Sequence, residues 1–253
     1  MKIRNLLFMG AIAILAASCS NKKEAKNDEQ PDTFKYKTEQ FADVKILRYQ
    51  IPGFNELSLN QKKLLYYLSQ AALCGRDIIY DQNFKYNLII RRTLEAIVDK
   101  YKGDRNTEEF NKFMTYTKRV WFCNGIHHHY SSDKFLPEFS QEYFRQLIQN
   151  SPNGKFPLQK GESVEQLLEK IIPVMFDPGL YAKRINLDPS KDLIASSACN
   201  FYENITQQEV EKFYETIIDK KNETPISYGL NSKLIKEDGK IVEKVYKIGG
   251  LYS

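Results

Sequence analysis

Apolar residues recur at helical spacing along most of the chain, and a capping residue stands at the start of most of these runs. Ser58-x-x-Gln61 has the capping-box pattern, in which two side chains satisfy backbone N–H groups at a helix start. It opens a predicted helix whose packing face ends in small residues that would let another helix approach closely. The residues of that face are Leu64, Leu65, Leu68, Ala71, Ala72 and Gly75.

Five more helices are predicted from the same signals. The helix after Thr107 has an aromatic-rich stripe that favours core packing, and Asn124-Gly125 ends it because both residues tolerate the left-handed conformation. The others are Leu88–Tyr101, a helix from Ser140 closed by Asn150-Ser151-Pro152, one from Ser163-x-x-Gln166 running into Pro173, and one from Thr206-x-x-Glu209 to about Ile218.

Strand signals lie near both ends of this helical region. Phe41–Ile51 is rich in β-branched and aromatic residues and stops at Pro52-Gly53, which predicts a strand. Asp238-Gly239 lies at the centre of an alternating segment and predicts a hairpin. We therefore expect an α+β fold, mainly helical, whose strands could pair in one sheet.

Composition places the chain among globular proteins. Its 253 residues, 42% hydrophobic and 27% charged, are enough for one substantial core or two small ones. The 37 basic and 32 acidic residues are dispersed and leave a net charge of +5. Such a balance gives no support for a nucleic-acid partner.

The first residues have the pattern of an export signal. A basic start and an apolar run too short to span a bilayer precede Cys19 in a segment that resembles the lipobox of bacterial lipoproteins, with its leucine one place further away than in the consensus. We predict a lipoprotein signal peptide over 1–18, lipidation of Cys19 and a disordered tether over 19–33. The alternative is an ordinary signal peptide with a chance cysteine. A lipid anchor would make the membrane a partner and place the protein in the cell envelope, facing the periplasm rather than the cell surface.

Three cysteines remain after Cys19, namely Cys74, Cys123 and Cys199. An odd number in an exported protein predicts no disulfide framework and leaves at least one thiol free unless an intermolecular bond forms. Cys123 follows a helical run and is interpreted as a small buried hydrophobe rather than a nucleophile. The chain also has no Gly-x-Ser-x-Gly, Gly-x-Gly-x-x-Gly or phosphate-binding loop.

All three histidines of the chain are consecutive, at His127, His128 and His129. A zincin needs two histidines one helical turn apart with a glutamate between them, whereas neighbouring side chains point in different directions on a helix or a strand. In an extended segment His127 and His129 could share an ion, but further ligands would have to come from elsewhere. Two other interpretations stay open: a local hydrogen-bonding cluster that caps helices, or a loop that contacts a ligand in a groove.

Five long runs of the sequence carry a resemblance to a known family. They are YYLSQAALCGRDI (Tyr66–Ile78), NGIHHHYSSDKFLPEFS (Asn124–Ser140), FPLQKGESVEQLLEKIIPVMFDPGLYAKRINLD (Phe156–Asp188), ACNFYENIT (Ala198–Thr206) and YGLNSKLIKEDGK (Tyr228–Lys240). Together they resemble the N-terminal part of bacterial dipeptidyl peptidase III of the Bacteroides type, over about residues 34–253.

The resemblance implies a zinc metallo-exopeptidase that releases dipeptides from peptide N-termini, built as two lobes around a wide cleft. Its zinc is held by a His-Glu-x-x-(x)-Gly-His type motif and a glutamate of a second motif, and neither motif occurs in this sequence. The resemblance therefore implies that residues 34–253 are an incomplete lower-lobe region with part of its β-barrel core, that the zinc ligands lie outside this chain, and that the chain alone is inactive. An unpaired strand edge and exposed apolar surface are expected of such a region.

No catalytic or metal-ligating residue is assigned in this chain. The resemblance assigns a peptide-substrate groove to Asn124, Gly125, His127, His128, His129, Tyr130, Lys134, Asn200 and Asn231. The alternative function is a non-catalytic lipoprotein that binds peptides or a protein partner.

Overall fold

The computed structural model describes residues 34–224 and 226–251, and the chain divides into two units at Tyr36. The predicted signal peptide, Cys19 and the tether lie outside the described residues. Lys37–Ser253 contains the helices α1 Leu59–Cys74, α2 Arg76–Asn83, α3 Asn87–Lys100, α4 Glu108–Cys123, α5 Gln141–Gln149, α6 Val164–Phe176 and α7 Gln207–Ile217, with a 3-10 turn at Phe54–Glu56. The strands are β1 Lys37–Phe41, β2 Val44–Leu47, β3 Tyr202–Glu203, β4 Ser232–Glu237 and β5 Lys240–Val245.

The predicted helix starts are confirmed. The side chains of Ser58, Ser163 and Thr206 each form a complete capping box at α1, α6 and α7. Thr107 and Ser140 cap α4 and α5 by accepting a hydrogen bond from a backbone N–H three residues on. Helix α2 was not predicted, because its sequence is short and largely polar.

The core lies among α2 to α6 and the loops that join them. Its aromatic and aliphatic side chains interlock, and the predicted stripe of α4 supplies Phe110, Phe113 and Val120 to it. The largest fully buried side chains are Tyr80, Phe84, Ile90, Leu94, Ile97, Phe113, Ile126, Phe144, Leu147, Leu167, Ile171 and Met175. A second, smaller cluster joins α7 to β4 through Ile205, Val210 and Leu234.

The strands form two separate sheets, so the prediction of one shared sheet is wrong. Among the described strands β1 pairs only with β2, and a turn with positive φ at Ala42 reverses the chain inside the strand predicted over Phe41–Ile51. The hairpin predicted at Asp238-Gly239 is confirmed, with positive φ at both residues, and β4 also pairs in parallel with β3. The described helices and strands make this an α+β protein. The described strands do not close into a barrel.

Helix α1 is exposed along its whole length. It has no buried residue, and Leu64, Leu65 and Leu68 on its predicted packing face are 58%, 45% and 57% exposed. The apolar spacing indicates a face suited to packing, but no described element covers it. Within the described ranges, no helix combines the length and the apolar character needed to cross a membrane.

Candidate functional site

The histidines lie in the loop of residues 124–134, which follows α4, and this loop is anchored by a buried amide. Asn124 is left-handed (φ 52°) and ends α4, as predicted. The side chain of Asn87 on α3 is fully buried; it donates to the Tyr80 carbonyl oxygen (3.1 Å) and accepts from the Ile126 N–H (3.2 Å). Because buried amides are costly when unpaired, these bonds fix where the loop leaves the core.

His127 points into the protein. Its side chain contacts Phe84, and its Nε2 lies 2.8 Å from the Tyr181 carbonyl oxygen, which can only accept, so Nε2 carries the proton. Its Nδ1 is buried and has no hydrogen-bond partner in the part of the chain that the structure describes. Burial, with smaller effects of Lys134 and Arg184, lowers the His127 pKa to about 4. His127 is therefore neutral at neutral pH and is not available to a ligand at the surface.

His128 closes the loop on itself and on the β1–β2 turn. Its Nδ1 accepts from the N–H groups of Tyr130 (3.3 Å) and Ser131 (3.1 Å). Its Nε2 lies 3.4 Å from an Asp43 carboxylate oxygen. An imidazole with its proton on Nε2 fits all three contacts. His128 therefore has the local hydrogen-bonding role that was one of the interpretations left open by the sequence.

His129 and Tyr130 form an aromatic tip at the surface. Their ring centroids are 4.2 Å apart, and Tyr130 is 86% exposed. The His129 Nδ1 lies 3.5 Å from the Cys123 sulfur, but burial raises the pKa of that thiol and lowers the pKa of the imidazole. Both shifts favour the neutral thiol and imidazole, so the pair does not have the character of an activated nucleophile.

Lys134 donates hydrogen bonds to the end of a helix. Its Nζ donates to the carbonyl oxygens of Val174 (3.1 Å), Asp177 and Leu180, where α6 ends. A cation at a helix C-terminus satisfies carbonyls that have no partner in the helix. Burial lowers the pKa of this ammonium group.

The two other asparagines of the predicted groove also make local structural bonds. The N–H of the buried Asn200 donates to the Gln82 carbonyl oxygen (2.8 Å). The Asn231 side chain donates to the carbonyl oxygen of Tyr246 (3.0 Å). No hydrogen bond of the described residues joins either one to the 124–134 loop.

Arg184 is a site residue that sequence reasoning missed. Its Nη1 donates to Asn83 Oδ1 (3.0 Å) and its Nη2 to the His129 carbonyl oxygen (3.3 Å), while its Nε is buried without a partner. The residue comes from the segment after α6, far from the loop in sequence. A single arginine in a polar segment offers no signal of this role.

Arg184 also lines a cavity of about 330 Å³ beside α7. The walls are mostly apolar, from the segment 184–201 and the first turns of α7. The lining residues include Ile185, Leu193, Ile194, Cys199, Phe201 and Val210.

The ring nitrogens of the three histidines meet different partners. His127 Nε2 faces the Tyr181 carbonyl group, His128 Nε2 faces Asp43 and His129 Nδ1 faces Cys123, although the rings of His128 and His129 lie 4.5 Å apart. Across residues 34–224 and 226–251, no group of three or more His, Cys, Asp or Glu side chains is placed to hold a metal ion.

Comparison with known proteins adds no family assignment. No protein-family profile matches the chain, and no curated protein matches it at a significant level.

Proposed function

We propose that this chain is the N-terminal, non-catalytic part of a zinc-dependent enzyme like dipeptidyl peptidase III, which releases dipeptides from peptide N-termini. The sequence runs described above support the family. In this proposal β3 to β5 belong to the β-barrel core of the lower lobe, and zinc is bound by residues outside this chain.

The exposed face of α1 is the observation that carries the proposal. Large apolar side chains on one helix are 45–67% exposed, namely Leu59, Leu64, Leu65, Tyr66, Tyr67, Leu68 and Leu73. Soluble proteins rarely expose so many apolar side chains together unless another surface covers them. Further protein of the same enzyme would bury this face.

The 124–134 loop would contribute its aromatic tip to the peptide cleft. Asn87 and His128 hold the base of the loop, while the Tyr130 side chain faces outward. A rigid loop with an exposed aromatic tip suits contact with an extended peptide, because little conformational entropy is lost on binding. In this proposal His127, Lys134, Asn200 and Asn231 support the structure and do not touch the substrate.

The protein would act in the cell envelope, tethered through a lipid on Cys19 and facing the periplasm. Peptides in that compartment would be its substrates. Labelling of cells with a fatty-acid analogue tests the anchor separately from the activity. The unaltered protein should take up the label, and the matched variant Cys19→Ser should not.

The coding sequence after the codon for Ser253 and the activity of its product test the proposal. We expect an in-frame continuation with the zinc motif, and chelator-sensitive release of arylamide from a dipeptidyl substrate by the longer product. The 253-residue chain with added zinc should show no such turnover. A stop codon directly after Ser253, with a stable product that binds peptides without cleaving them, would instead support a non-catalytic binding lipoprotein.

A further inference from the structure

The cavity beside α7 combines apolar walls with Arg184, a cation that forms no ion pair with the residues that the structure describes. Its volume of about 330 Å³ lies at the lower end of the range for small-molecule sites. Ile185, Leu193, Ile194 and Val210 supply aliphatic surface, and Phe201 supplies an aromatic ring. An apolar ligand body would be desolvated on such walls.

The Arg184 guanidinium gives this cavity its polar end. A guanidinium has five N–H donors and stays charged in proteins. The hydrogen bonds of Arg184 in the described structure go to neutral oxygens, of Asn83 and His129, and its buried Nε has no partner. One N–H on each Nη therefore remains for an anion, whereas the buried Nε is out of reach of a ligand. A carboxylate matches the planar fork of the group.

One acidic side chain also lines the cavity and restricts the ligand. Glu211 on α7 accepts a hydrogen bond from the Gln207 side chain (2.8 Å). Its negative charge disfavours ligands with an anion at both ends. A single carboxylate placed at Arg184, with an uncharged body elsewhere, pairs with the arginine and brings no second anion near Glu211.

We infer that this cavity binds a small monocarboxylate with an apolar body, in the size class of a medium-chain fatty acid, with its carboxylate on Arg184. The cavity lies between residues 184–201 and α7, and Arg184 links it to the 124–134 loop through its hydrogen bond to the His129 carbonyl oxygen. It would give the protein a ligand whether or not the proposed peptidase activity is confirmed.

Isothermal titration with three simple probes tests the chemistry of the site. Octanoate has both features, octanol lacks the carboxylate, and acetate lacks the apolar body. We expect octanoate to bind at least about tenfold more tightly than either of the others, because octanol makes no charge-assisted hydrogen bond to Arg184 and acetate leaves the apolar walls uncovered. Equal binding of octanoate and octanol, or no binding of octanoate, would overturn the inference.

Substitutions locate the bound probe. Arg184→Met should weaken octanoate binding by about tenfold or more, and Arg184→Lys should retain part of it. Ile194→Trp should block binding by filling the cavity. Arg76→Met removes a charge outside the cavity and serves as the matched control. If Arg184→Met and Arg76→Met bind octanoate equally, the assignment to Arg184 is wrong.

A measurement on the unaltered chain covers the case in which these variants fold poorly. Cys199 lines the cavity and Cys74 is exposed elsewhere. Octanoate should slow alkylation of Cys199 and leave that of Cys74 unchanged, with both sites followed by peptide mass spectrometry. Unchanged alkylation of Cys199 under saturating octanoate would contradict the proposed position of the ligand.

Discussion

Asn87 and Gly125 are so close that a Cβ atom on Gly125 would lie 2.1 Å from the Asn87 amide nitrogen. Gly125 also has φ of 143°, a backbone conformation that other residues rarely adopt. The same Asn87 amide bonds the Ile126 N–H, so the loop leaves α4 only where glycine allows the close approach. The position of the histidine loop thus depends on a contact between α3 and one glycine.

Gly125→Ala should therefore destabilise the protein strongly. Backbone strain in a rare conformation costs about 1–3 kcal/mol, and overpacking against a buried side chain adds about as much. We expect the free energy of unfolding to fall by about 3 kcal/mol or more, measured by urea denaturation.

Gly161→Ala is the matched control for this prediction. Gly161 also has positive φ, but a Cβ there would meet nothing within 4 Å. Only the backbone strain applies, at about 1–2 kcal/mol. Equal losses in the two variants would show that the contact with Asn87 contributes nothing.

The buried His127 should make stability depend on pH in the acidic range. Its folded-state pKa of about 4 lies below the value near 6.5 of an unfolded chain, so the unfolded state takes up a proton first as the pH falls. This contribution is complete above about pH 6.5, is lost between about 6.5 and about 4, and amounts to about 3 kcal/mol.

His127→Gln should remove that slope. The glutamine amide can still donate to the Tyr181 carbonyl oxygen but does not titrate. Urea denaturation at several pH values would compare this variant with His128→Gln, which leaves His127 in place and should keep the slope. A His127→Gln chain that loses stability between about pH 6.5 and about 4 as steeply as the original would contradict the assignment.

Lys134→Met should weaken the end of α6. The substitution keeps most of the apolar stem but leaves the carbonyl groups of Val174, Asp177 and Leu180 without their donor. We expect a loss of about 1–3 kcal/mol in the free energy of unfolding. Lys160→Met, at an exposed lysine, should change it by less than about 0.5 kcal/mol. A similar result for both lysines would show that Lys134 does not cap the helix.

Helix boundaries were predictable from sequence because caps are local. Ser58 and Thr206 need only a partner three residues away, and Asn124 needs only its own tolerance of positive φ. Strand pairing depends on distant segments, so the turn at Ala42 and the two separate sheets were not predicted. The predicted helix after Ser163 runs into Pro173, whereas the observed α6 continues past this proline to Phe176.

The site shows the same division between local and distant contacts. The 124–134 loop was predicted from the sequence. The consecutive positions of the histidines predicted that they do not form a zinc site. The roles of His127 and Lys134 depend on carbonyl groups of Tyr181 and of the end of α6, which only the folded chain brings near. Arg184 likewise reaches the loop from far along the sequence.

The exposed face of α1 leads to one prediction for the 253-residue chain and another for the proposed longer enzyme. Leu68 is 57% exposed and Leu94 is fully buried in α3. In the 253-residue chain, Leu68→Ala should change the free energy of unfolding by less than about 0.5 kcal/mol, and Leu94→Ala should lower it by about 2–5 kcal/mol. In the longer enzyme that we propose, Leu68→Ala should also cost about 2 kcal/mol or more, because its side chain would be buried. No loss in the longer protein would show that α1 is not covered there.

Tyr130 tests the proposed role of the loop tip. Because the side chain is 86% exposed, Tyr130→Ala should leave the free energy of unfolding unchanged within about 0.5 kcal/mol. In the longer enzyme it should raise the KM for peptides by about tenfold at constant kcat, as expected when an aromatic contact of about 1–1.5 kcal/mol is lost. Tyr130→Phe should keep most of the affinity, since the ring provides the contact. Tyr49→Ala, at another tyrosine that is 76% exposed, should leave KM unchanged. If Tyr130→Ala and Tyr49→Ala have the same KM as the unaltered enzyme, the loop tip does not line the peptide cleft.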